Sequence, residues 1–209
     1  MSYAVVCIVF YLIGSIPAAY IVVKFRYKKD ITTEGSGNVG ARNTFAVTKS
    51  KLDGTIVLAI DFLKGLLPVI WFLNYSDFFP QSILIPAASL VVGHNYSVWL
   101  KFKGGRGLAT AAGIMIVINY LLVIIWLVTY FIFNLFIKNI HISTVIALLI
   151  LPLTILVFPE FILKFTSASV ANIPGSKIFL AELSAVISVI IMTKHIEPLR
   201  ELIRNNRKQ

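Results

Sequence analysis

The sequence predicts an all-α, polytopic integral membrane protein with about seven transmembrane helices, some of them short. Hydrophobic residues make up 58% of the 209-residue chain and charged residues only 13%, whereas soluble domains average roughly 45–50% apolar residues. Several apolar segments approach the roughly 20 residues that a helix needs to cross the hydrocarbon layer. We expect a single membrane-embedded domain over residues 1–209, since no stretch remains for a separate soluble module.

Six apolar segments alternate with polar connections. They run over Tyr3–Val23, Thr55–Asn74, Ile83–Leu100, Leu108–Ile137, Ile142–Phe158 and Ile178–Thr193. Basic residues cluster in Lys24–Lys51, in Lys101–Arg106 and in the tail from Lys194 to Lys208, whereas the Asn74–Gln81 connection has no Lys or Arg. Because cytoplasmic loops carry an excess of Lys and Arg, we expect the N-terminus outside and the C-terminus in the cytoplasm.

The fourth apolar segment, Leu108–Ile137, is too long for one ordinary span. As a single helix it would measure roughly 45 Å, well beyond a hydrocarbon core of about 30 Å. An even number of crossings must also separate Arg106 from the tail if both are cytoplasmic. A break near Asn119–Tyr120 meets both requirements and brings the count to seven. One long tilted helix is the alternative, and it would put the tail outside.

The charge balance indicates anionic partners at a membrane surface. The chain has nineteen Lys and Arg against nine Asp and Glu, a formal net charge of +10. Placed beside apolar spans, these cations are typical of contact with the lipid bilayer and with anionic substrates, and we expect no nucleic-acid partner. The single cysteine, Cys7, excludes an internal disulfide, and the three histidines show no metal-ligand spacing. No metal or other cofactor is expected, and the oligomeric state is left open.

The first basic stretch contains a glycine-rich motif suited to anion binding. It reads Gly35-Ser36-Gly37-Asn38-Val39-Gly40-Ala41-Arg42-Asn43. Closely spaced glycines let the backbone turn tightly and expose its N–H groups, and such concave amide arrays bind anions. Ser36 and Asn43 can add hydrogen bonds, and Arg42 can offer a planar fork to phosphate oxygens. Taken alone, the motif also fits a flexible cytoplasmic turn.

The second basic stretch is a glycine loop that leads into a helix. It reads Lys101-Phe102-Lys103-Gly104-Gly105-Arg106-Gly107 and is followed by apolar residues. Such a loop combines free amides with the positive end of a helix dipole, and Lys103 and Arg106 add formal charge. The Gly-Lys-Ser/Thr ending of a Walker loop is missing. Cations snorkelling at a membrane boundary are the alternative, but the three glycines favour a phosphate site.

Polar residues within or beside the spans are further candidates. Asp61 and Lys64 lie three residues apart on one helical face. They are expected to form either a structural ion pair or a pair of functional groups. His94 lies near the inner end of the third span, where a structural role is the simpler explanation. His195 ends the last span and is followed by Glu197. Because an imidazole titrates near neutral pH, His195 is a candidate acid or base.

In this order, the motifs resemble one family, the bacterial membrane acyltransferases that pass a fatty acyl group from acyl phosphate to glycerol 3-phosphate (PlsY). The stretches that carry the resemblance are Gly14–Tyr20, Gly35–Ala41, Asp61–Gly65, Gly93–Asn95 and Lys101–Thr110. The resemblance implies a seven-helix enzyme of the bacterial inner membrane with its active site on the cytoplasmic face. It also implies acyl phosphate and glycerol 3-phosphate as substrates and 1-acyl-glycerol 3-phosphate as product.

Roles for individual residues follow from the same resemblance. Ser36, Lys103 and His195 are expected to be catalytic, while Asp61, Lys64 and Glu197 are expected to be structural. The general base is left open between His195, a relay through Ser36 and the phosphate of the donor. The expected substrate-binding residues are Gly35, Gly37, Asn38, Gly40, Arg42, Asn43, His94, Gly104, Gly105, Arg106 and Gly107.

The sequence departs from the family pattern at three positions. The family usually has arginine where Ala46 stands, asparagine where Pro198 stands and lysine where Arg106 stands. Arg42, close to Ala46, can substitute for the missing arginine, and we expect a divergent member. Two other classes stay open: a non-catalytic or altered-acceptor protein on the same scaffold, and an anion transporter. The transporter ranks last, because it predicts repeats and a midplane site.

Overall fold

The computed structural model describes residues 1–206 and is all-helical over that range, which confirms the predicted fold class. Arg207 and Lys208 of the basic tail lie outside the described residues. The α-helices within residues 1–206 are α1 (Tyr3–Ser15), α2 (Ala18–Tyr27), α3 (Ala41–Thr48), α4 (Lys51–Tyr75), α5 (Leu84–Asn95), α6 (Leu108–Ile118), α7 (Tyr120–Ile137), α8 (Ile140–Val157), α9 (Pro159–Leu163), α10 (Ala168–Ala171), α11 (Ser176–Thr193) and α12 (Ile196–Asn206). Short 3-10 helices cover Pro80–Ile83 and Val98–Leu100.

Six helical stretches within the described residues are long and apolar enough to cross a membrane. They are Tyr3–Tyr27, Lys51–Tyr75, Pro80–Leu100, Tyr120–Ile137, Ile140–Val157 and Ser176–Thr193. α6 is a shorter apolar helix of 11 residues, about 16 Å long. With α6, the described part of the chain has the seven apolar helices that the sequence predicts. The direction in which they cross the membrane stays a prediction.

The chain divides into two compact units, and the boundary falls within α6. The first unit is Met1–Ile114, and the second begins at Met115. In the first unit, α1 and α5 pack backbone to backbone. A Cβ on Gly14 would lie 2.1 Å from the Leu90 carbonyl oxygen, and one on Gly93 would lie 2.2 Å from that of Tyr11. Small residues allow this close approach between membrane helices, where burial of apolar surface gives little driving force.

Glycines bring the start of α6 equally close to α4. A Cβ on Gly65 would lie 2.0 Å from the Thr110 carbonyl oxygen, and one on Gly113 would lie 2.1 Å from that of Phe62. The Thr110 hydroxyl donates to the Asp61 carbonyl at 3.0 Å. The glycine loop that precedes α6 is therefore fixed at its C-terminal end by a tight helix crossing.

In the second unit, Asn119 makes the break that helix length and crossing parity predict. Its side-chain oxygen accepts from the Leu122 amide at 3.3 Å and so caps α7. Its side-chain nitrogen donates to the Ile162 carbonyl at 2.8 Å and to the Thr166 hydroxyl at 2.7 Å. Asn119 is 1% exposed. The buried amide thus replaces a backbone hydrogen bond missing at the start of α7 and connects the break to Ile162 in α9 and to Thr166.

Replacing Asn119 with alanine is expected to lower the free energy of unfolding by about 2–4 kcal/mol, since it removes an N-cap and leaves buried backbone groups unpaired. The measurement is an unfolding titration in mixed detergent micelles. Asn172→Ala, at an exposed position of the same unit, is the control and should change the value by less than about 0.5 kcal/mol. Equal stability of the two variants would contradict the role of Asn119.

Candidate active site

The two glycine-rich loops lie side by side in the first unit. The Val39 amide donates to the Gly104 carbonyl at 3.4 Å, and the Gly105 amide donates to the His94 carbonyl at 3.0 Å. A Cβ on Gly104 would lie 2.3 Å from the His94 carbonyl oxygen, and one on Gly105 would lie 2.0 Å from His94 Nε2. No side chain fits at either position, so the glycines of the second loop are required by this close approach.

Asn43 holds the first loop in its shape. Its Oδ1 accepts from the Ser36 amide at 2.9 Å, and its Nδ2 donates to the Glu34 carbonyl at 3.0 Å. Gly35 and Gly37 have φ angles of 59° and 68°, which side chains other than glycine rarely adopt. Asn43 is 3% exposed. The side chain of Asn43 is therefore engaged in the loop itself, while the neighbouring Ser36 is exposed.

The first loop ends where α3 begins. Gly40 is the N-cap of α3, and its carbonyl accepts from the Thr44 amide at 3.0 Å and from the Thr44 hydroxyl at 3.1 Å. Asn38 is half-buried beside it. This start of α3 places Arg42 in the first turn, exposed to solvent. Ala46 follows one turn later on the same face and is also exposed.

Cations surround the joined loops. Arg42 and Lys103 are exposed, and Arg106 is half-buried. Burial lowers the pKa of the Arg106 guanidinium, and the positive charge of Arg42 lowers it further. Like charges at this distance repel each other, and an anion bound between the two arginines would relieve the repulsion.

One acidic side chain lies near these cations. Hydrogen bonds from the hydroxyl and amide of Thr32 hold the pKa of Asp30 below its ordinary value, and the charges of Lys24 and Lys103 act in the same direction. Asp30 is therefore ionised at neutral pH and neutralises part of the local positive charge. The remaining cations still outnumber it.

Ser97 closes the turn of the second loop, a role that sequence reasoning missed. The Ser97 amide donates to the Lys103 carbonyl at 3.2 Å, and its carbonyl accepts from the Phe102 amide at 2.8 Å. Its hydroxyl donates to the Ser15 carbonyl at 2.6 Å. Lys101 and Phe102 both have left-handed φ angles, 53° and 62°, a conformation that costs about 1–2 kcal/mol per residue. Backbone strain of this kind is concentrated at functional sites.

The predicted pair of Asp61 and Lys64 forms, and it lies beneath the second loop with His94. The Lys64 Nζ is 3.0 Å from Asp61 Oδ1, and His94 Nδ1 is 3.5 Å from the same oxygen. The Lys64 ammonium also donates to the Ile16 carbonyl at 3.0 Å, where Pro17 ends the regular hydrogen bonding of α1. All three charged or titratable side chains are buried. They connect α1, α4 and α5 beneath the second loop, where the His94 ring lies against Gly105.

The remaining predicted residues, His195 and Glu197, belong to the second unit. His195 is 2% exposed, and its Nδ1 lies 3.1 Å from Nδ1 of His141. Glu197 forms an exposed ion pair with Arg200 at 3.7 Å, which contributes about 0–1 kcal/mol to stability. Sequence reasoning did not pair the two histidines. The one signal in the sequence was position: His141 and His195 each lie at the end of a span, and both span ends were predicted on the same side of the membrane.

Apolar helices together with two joined glycine loops and their cations define a membrane-embedded protein with a candidate anion site. A profile of the family "Glycerol-3-phosphate acyltransferase" matches residues 4–205. The chain is 38% identical over 162 residues to the glycerol-3-phosphate acyltransferase of Pelagibacter ubique, covering 77% of this chain and 82% of that protein. It is 37% identical over 170 residues to glycerol-3-phosphate acyltransferase 2 of Moorella thermoacetica, and the match covers 78% of this chain and 84% of that protein.

Solved structures agree with these relatives. The crystal structure of PlsY (YgiH), an integral membrane glycerol 3-phosphate acyltransferase in its glycerol 3-phosphate form, superposes with a TM-score of 0.78 at 26% identity. The match covers 98% of this chain and 94% of that one. The chain therefore belongs to the glycerol-3-phosphate acyltransferase family. It is an enzyme of phospholipid synthesis that transfers an acyl group to glycerol 3-phosphate, and the non-catalytic alternative is not favoured.

Proposed function

We propose that the acyl donor is acyl phosphate and that the reaction takes place on the cytoplasmic face of the bacterial inner membrane. The observation that carries this proposal is the pair of joined glycine loops, with Arg42, Lys103 and Arg106 around them. Two substrates that both carry phosphate repel each other when they meet. Oriented amides and cations offset that repulsion and hold the reacting atoms in place.

The proposed reaction is a direct acyl transfer. A hydroxyl oxygen of glycerol 3-phosphate attacks the acyl carbon, the bond from that carbon to the phosphate oxygen breaks, and inorganic phosphate leaves. The hydroxyl proton passes to an oxygen of the donor phosphate, which leaves with it. Acyl phosphate is already activated, so the enzyme needs no covalent nucleophile. The product is 1-acyl-glycerol 3-phosphate, and one solved relative was determined in its lysophosphatidic acid form.

Each loop is assigned one phosphate. The second loop leads into the N-terminus of α6, where free amides and the helix dipole favour an anion. Lys103 and Arg106 bind the phosphate of glycerol 3-phosphate there. The first loop, with Ser36 and Arg42, binds the phosphate of the donor, while the acyl chain stays in the bilayer. Arg42 takes the role of the arginine that the family has at Ala46, one turn away on α3.

Purified protein in lipid nanodiscs tests the donor. Labelled glycerol 3-phosphate is supplied with acyl phosphate, acyl-CoA or acyl carrier protein, and lysophosphatidate is followed. We expect product with acyl phosphate and none with acyl-CoA or acyl carrier protein. Product with acyl-CoA but none with acyl phosphate would contradict the donor assignment, whereas no product with any donor would contradict the transfer itself.

Replacing Lys103 with alanine is expected to raise the KM for glycerol 3-phosphate about 10-fold or more, because a charge-assisted hydrogen bond is worth about 1.5–3 kcal/mol. Steady-state kinetics with saturating acyl phosphate give this value. Lys51→Ala removes the same charge from an exposed position in the same unit and is the matched control. If both variants keep the wild-type KM, Lys103 does not bind the substrate.

A further inference from the structure

The turn that precedes the second glycine loop exposes a cluster of apolar side chains. Val98, Trp99 and Phe102 are 40%, 61% and 63% exposed, and the neighbouring Lys101 is exposed as well. Single exposed apolar residues are common on any protein, whereas a cluster of large ones marks a surface that binds another molecule. The turn therefore has a partner that the fold of the chain itself does not supply.

Hydrogen bonds and one apolar side chain fix the turn to the protein. The Ser97 carbonyl accepts from the Leu100 amide at 3.2 Å and from the Phe102 amide at 2.8 Å. Leu100 is half-buried and packs against the apolar cluster formed by residues of α2, α4 and the first loop. Because Leu100 faces the protein and the turn is held by these bonds, Trp99 and Phe102 are presented on its outer side.

The turn lies where a membrane span ends. The helical stretch that is long and apolar enough to cross a membrane runs over Pro80–Leu100, so Trp99 belongs to its last residues and Phe102 follows directly. At the membrane–water interface, aromatic side chains place their rings beside the acyl chains. Lysine extends its ammonium from the same level toward the lipid phosphates. Trp99, Lys101 and Phe102 have the composition of such an interface.

The other two spans of the first unit also carry exposed apolar residues at their ends on this side. Consecutive spans cross in opposite directions, so the C-terminal end of Tyr3–Tyr27, the N-terminal end of Lys51–Tyr75 and the C-terminal end of Pro80–Leu100 share one side. Phe25 and Leu52 lie within two residues of these ends, and both are exposed. Exposed apolar residues at matching ends of three spans are typical of one membrane interface.

We propose that Trp99 and Phe102 anchor the second glycine loop to the lipid bilayer, with their rings at the boundary between acyl chains and headgroups and with Lys101 at the lipid phosphates. The anchor is joined directly to the loop, since the Ser97 amide donates to the Lys103 carbonyl at 3.2 Å. The loop is thereby held at the level where a donor in the bilayer presents its phosphate. This consequence rests on the proposed acyl phosphate donor, whereas the anchor itself does not.

Quenching of tryptophan fluorescence tests the anchor in the full chain. The chain has three tryptophans, and the emission of the wild-type protein minus that of Trp99→Phe belongs to Trp99. The protein is placed in vesicles of phosphatidylcholine and phosphatidylglycerol whose acyl chains carry bromine near the headgroup, and acrylamide is the quencher in water. We expect the brominated lipid to quench most of the Trp99 emission and acrylamide to quench little of it. Quenching by acrylamide alone would place Trp99 in water, and quenching by neither would place it against protein, so either result would overturn the proposal.

Double substitutions test what the anchor does for the reaction. Trp99→Ser with Phe102→Ser is expected to lower kcat/KM for a long-chain acyl phosphate about 10-fold, since displacing a binding group by about 1 Å costs up to about 10²-fold. Trp99→Tyr with Phe102→Tyr keeps two aromatic rings at the interface and should stay close to the wild type. Tyr75→Ser with Phe79→Ser removes two exposed aromatic side chains at the other end of α4 and is the matched control, with wild-type kinetics expected.

Wild-type kinetics in the serine variant of the turn would overturn the link between the anchor and the reaction, and so would an equal loss in the control. The failure of the proposed function is distinct from these outcomes. In that case the wild-type enzyme forms no product from acyl phosphate, while the quenching of Trp99 still decides whether the turn lies in the bilayer.

Discussion

Gly105→Ala is expected to lower kcat/KM for glycerol 3-phosphate by about 10²-fold or more, which is the cost of displacing a binding group by about 1 Å. The added Cβ would lie 2.0 Å from His94 Nε2 and 2.7 Å from the Val39 carbonyl oxygen. His94 is packed against Asp61 and cannot move far, and Val39 belongs to the first loop. The two loops must therefore separate, and the phosphate sites on both are displaced.

Kinetics of the purified variant in nanodiscs measure this effect, and the yield of folded protein is monitored alongside. Gly175→Ala is the matched control, because a Cβ on Gly175 meets no atom within 4 Å. Its left-handed φ of 73° costs about 1–2 kcal/mol for alanine, a strain that Gly105→Ala does not carry, so the control is the harsher substitution for the backbone. Wild-type kinetics for Gly105→Ala would show that the contact between the loops is not required.

Asp61→Leu is expected to destabilise the protein by about 3–5 kcal/mol, since it leaves the Lys64 ammonium buried without its carboxylate. The Lys64 Nζ lies 3.0 Å from Asp61 Oδ1, and both side chains are about 5% exposed or less. Unfolding titrations in mixed micelles measure the loss. Asp77→Leu, at an exposed position of the same unit, is the control and should change stability by less than about 0.5 kcal/mol.

The double substitution Asp61→Leu with Lys64→Met makes this prediction specific. Replacing both partners of a buried ion pair by apolar residues is often neutral or stabilising, so the double variant should recover most of the stability that Asp61→Leu loses. Such strong non-additivity is the signature of direct coupling. Additive losses would show that the two side chains act independently.

The helices could be predicted from the sequence because the bilayer sets their length. The break at Asn119 followed from a segment too long for one span and from the parity of crossings. Both arguments use the thickness of the membrane and the side on which cations lie, and neither requires a three-dimensional contact. The identity of the groups that Asn119 binds could not be predicted, since Ile162 and Thr166 are more than 40 residues away.

The site was predictable only in part. The i,i+3 spacing predicted the pair of Asp61 and Lys64, which the structure confirms. Glycine spacing and cations predicted two anion-binding loops, and their binding of anions stays a prediction. The contacts that shape the loops were missed, because Ser97 bonds to Ser15 across 82 residues of sequence. Asn43 was expected among the substrate-binding groups, which stays a prediction, and the structure shows its side chain spanning the first loop from Ser36 to Glu34. An amide that can bind either a ligand or the backbone cannot be assigned from residue type alone.

Binding of labelled glycerol 3-phosphate without any acyl donor tests most directly whether the joined glycine loops hold its phosphate. We expect saturable binding in nanodiscs that inorganic phosphate competes away and glycerol does not. Lys51→Ala should bind like the wild type, Lys103→Ala should bind about 10-fold more weakly, and Gly105→Ala should show no saturable binding. Wild-type affinity in both Lys103→Ala and Gly105→Ala would show that the phosphate of glycerol 3-phosphate binds elsewhere in the chain.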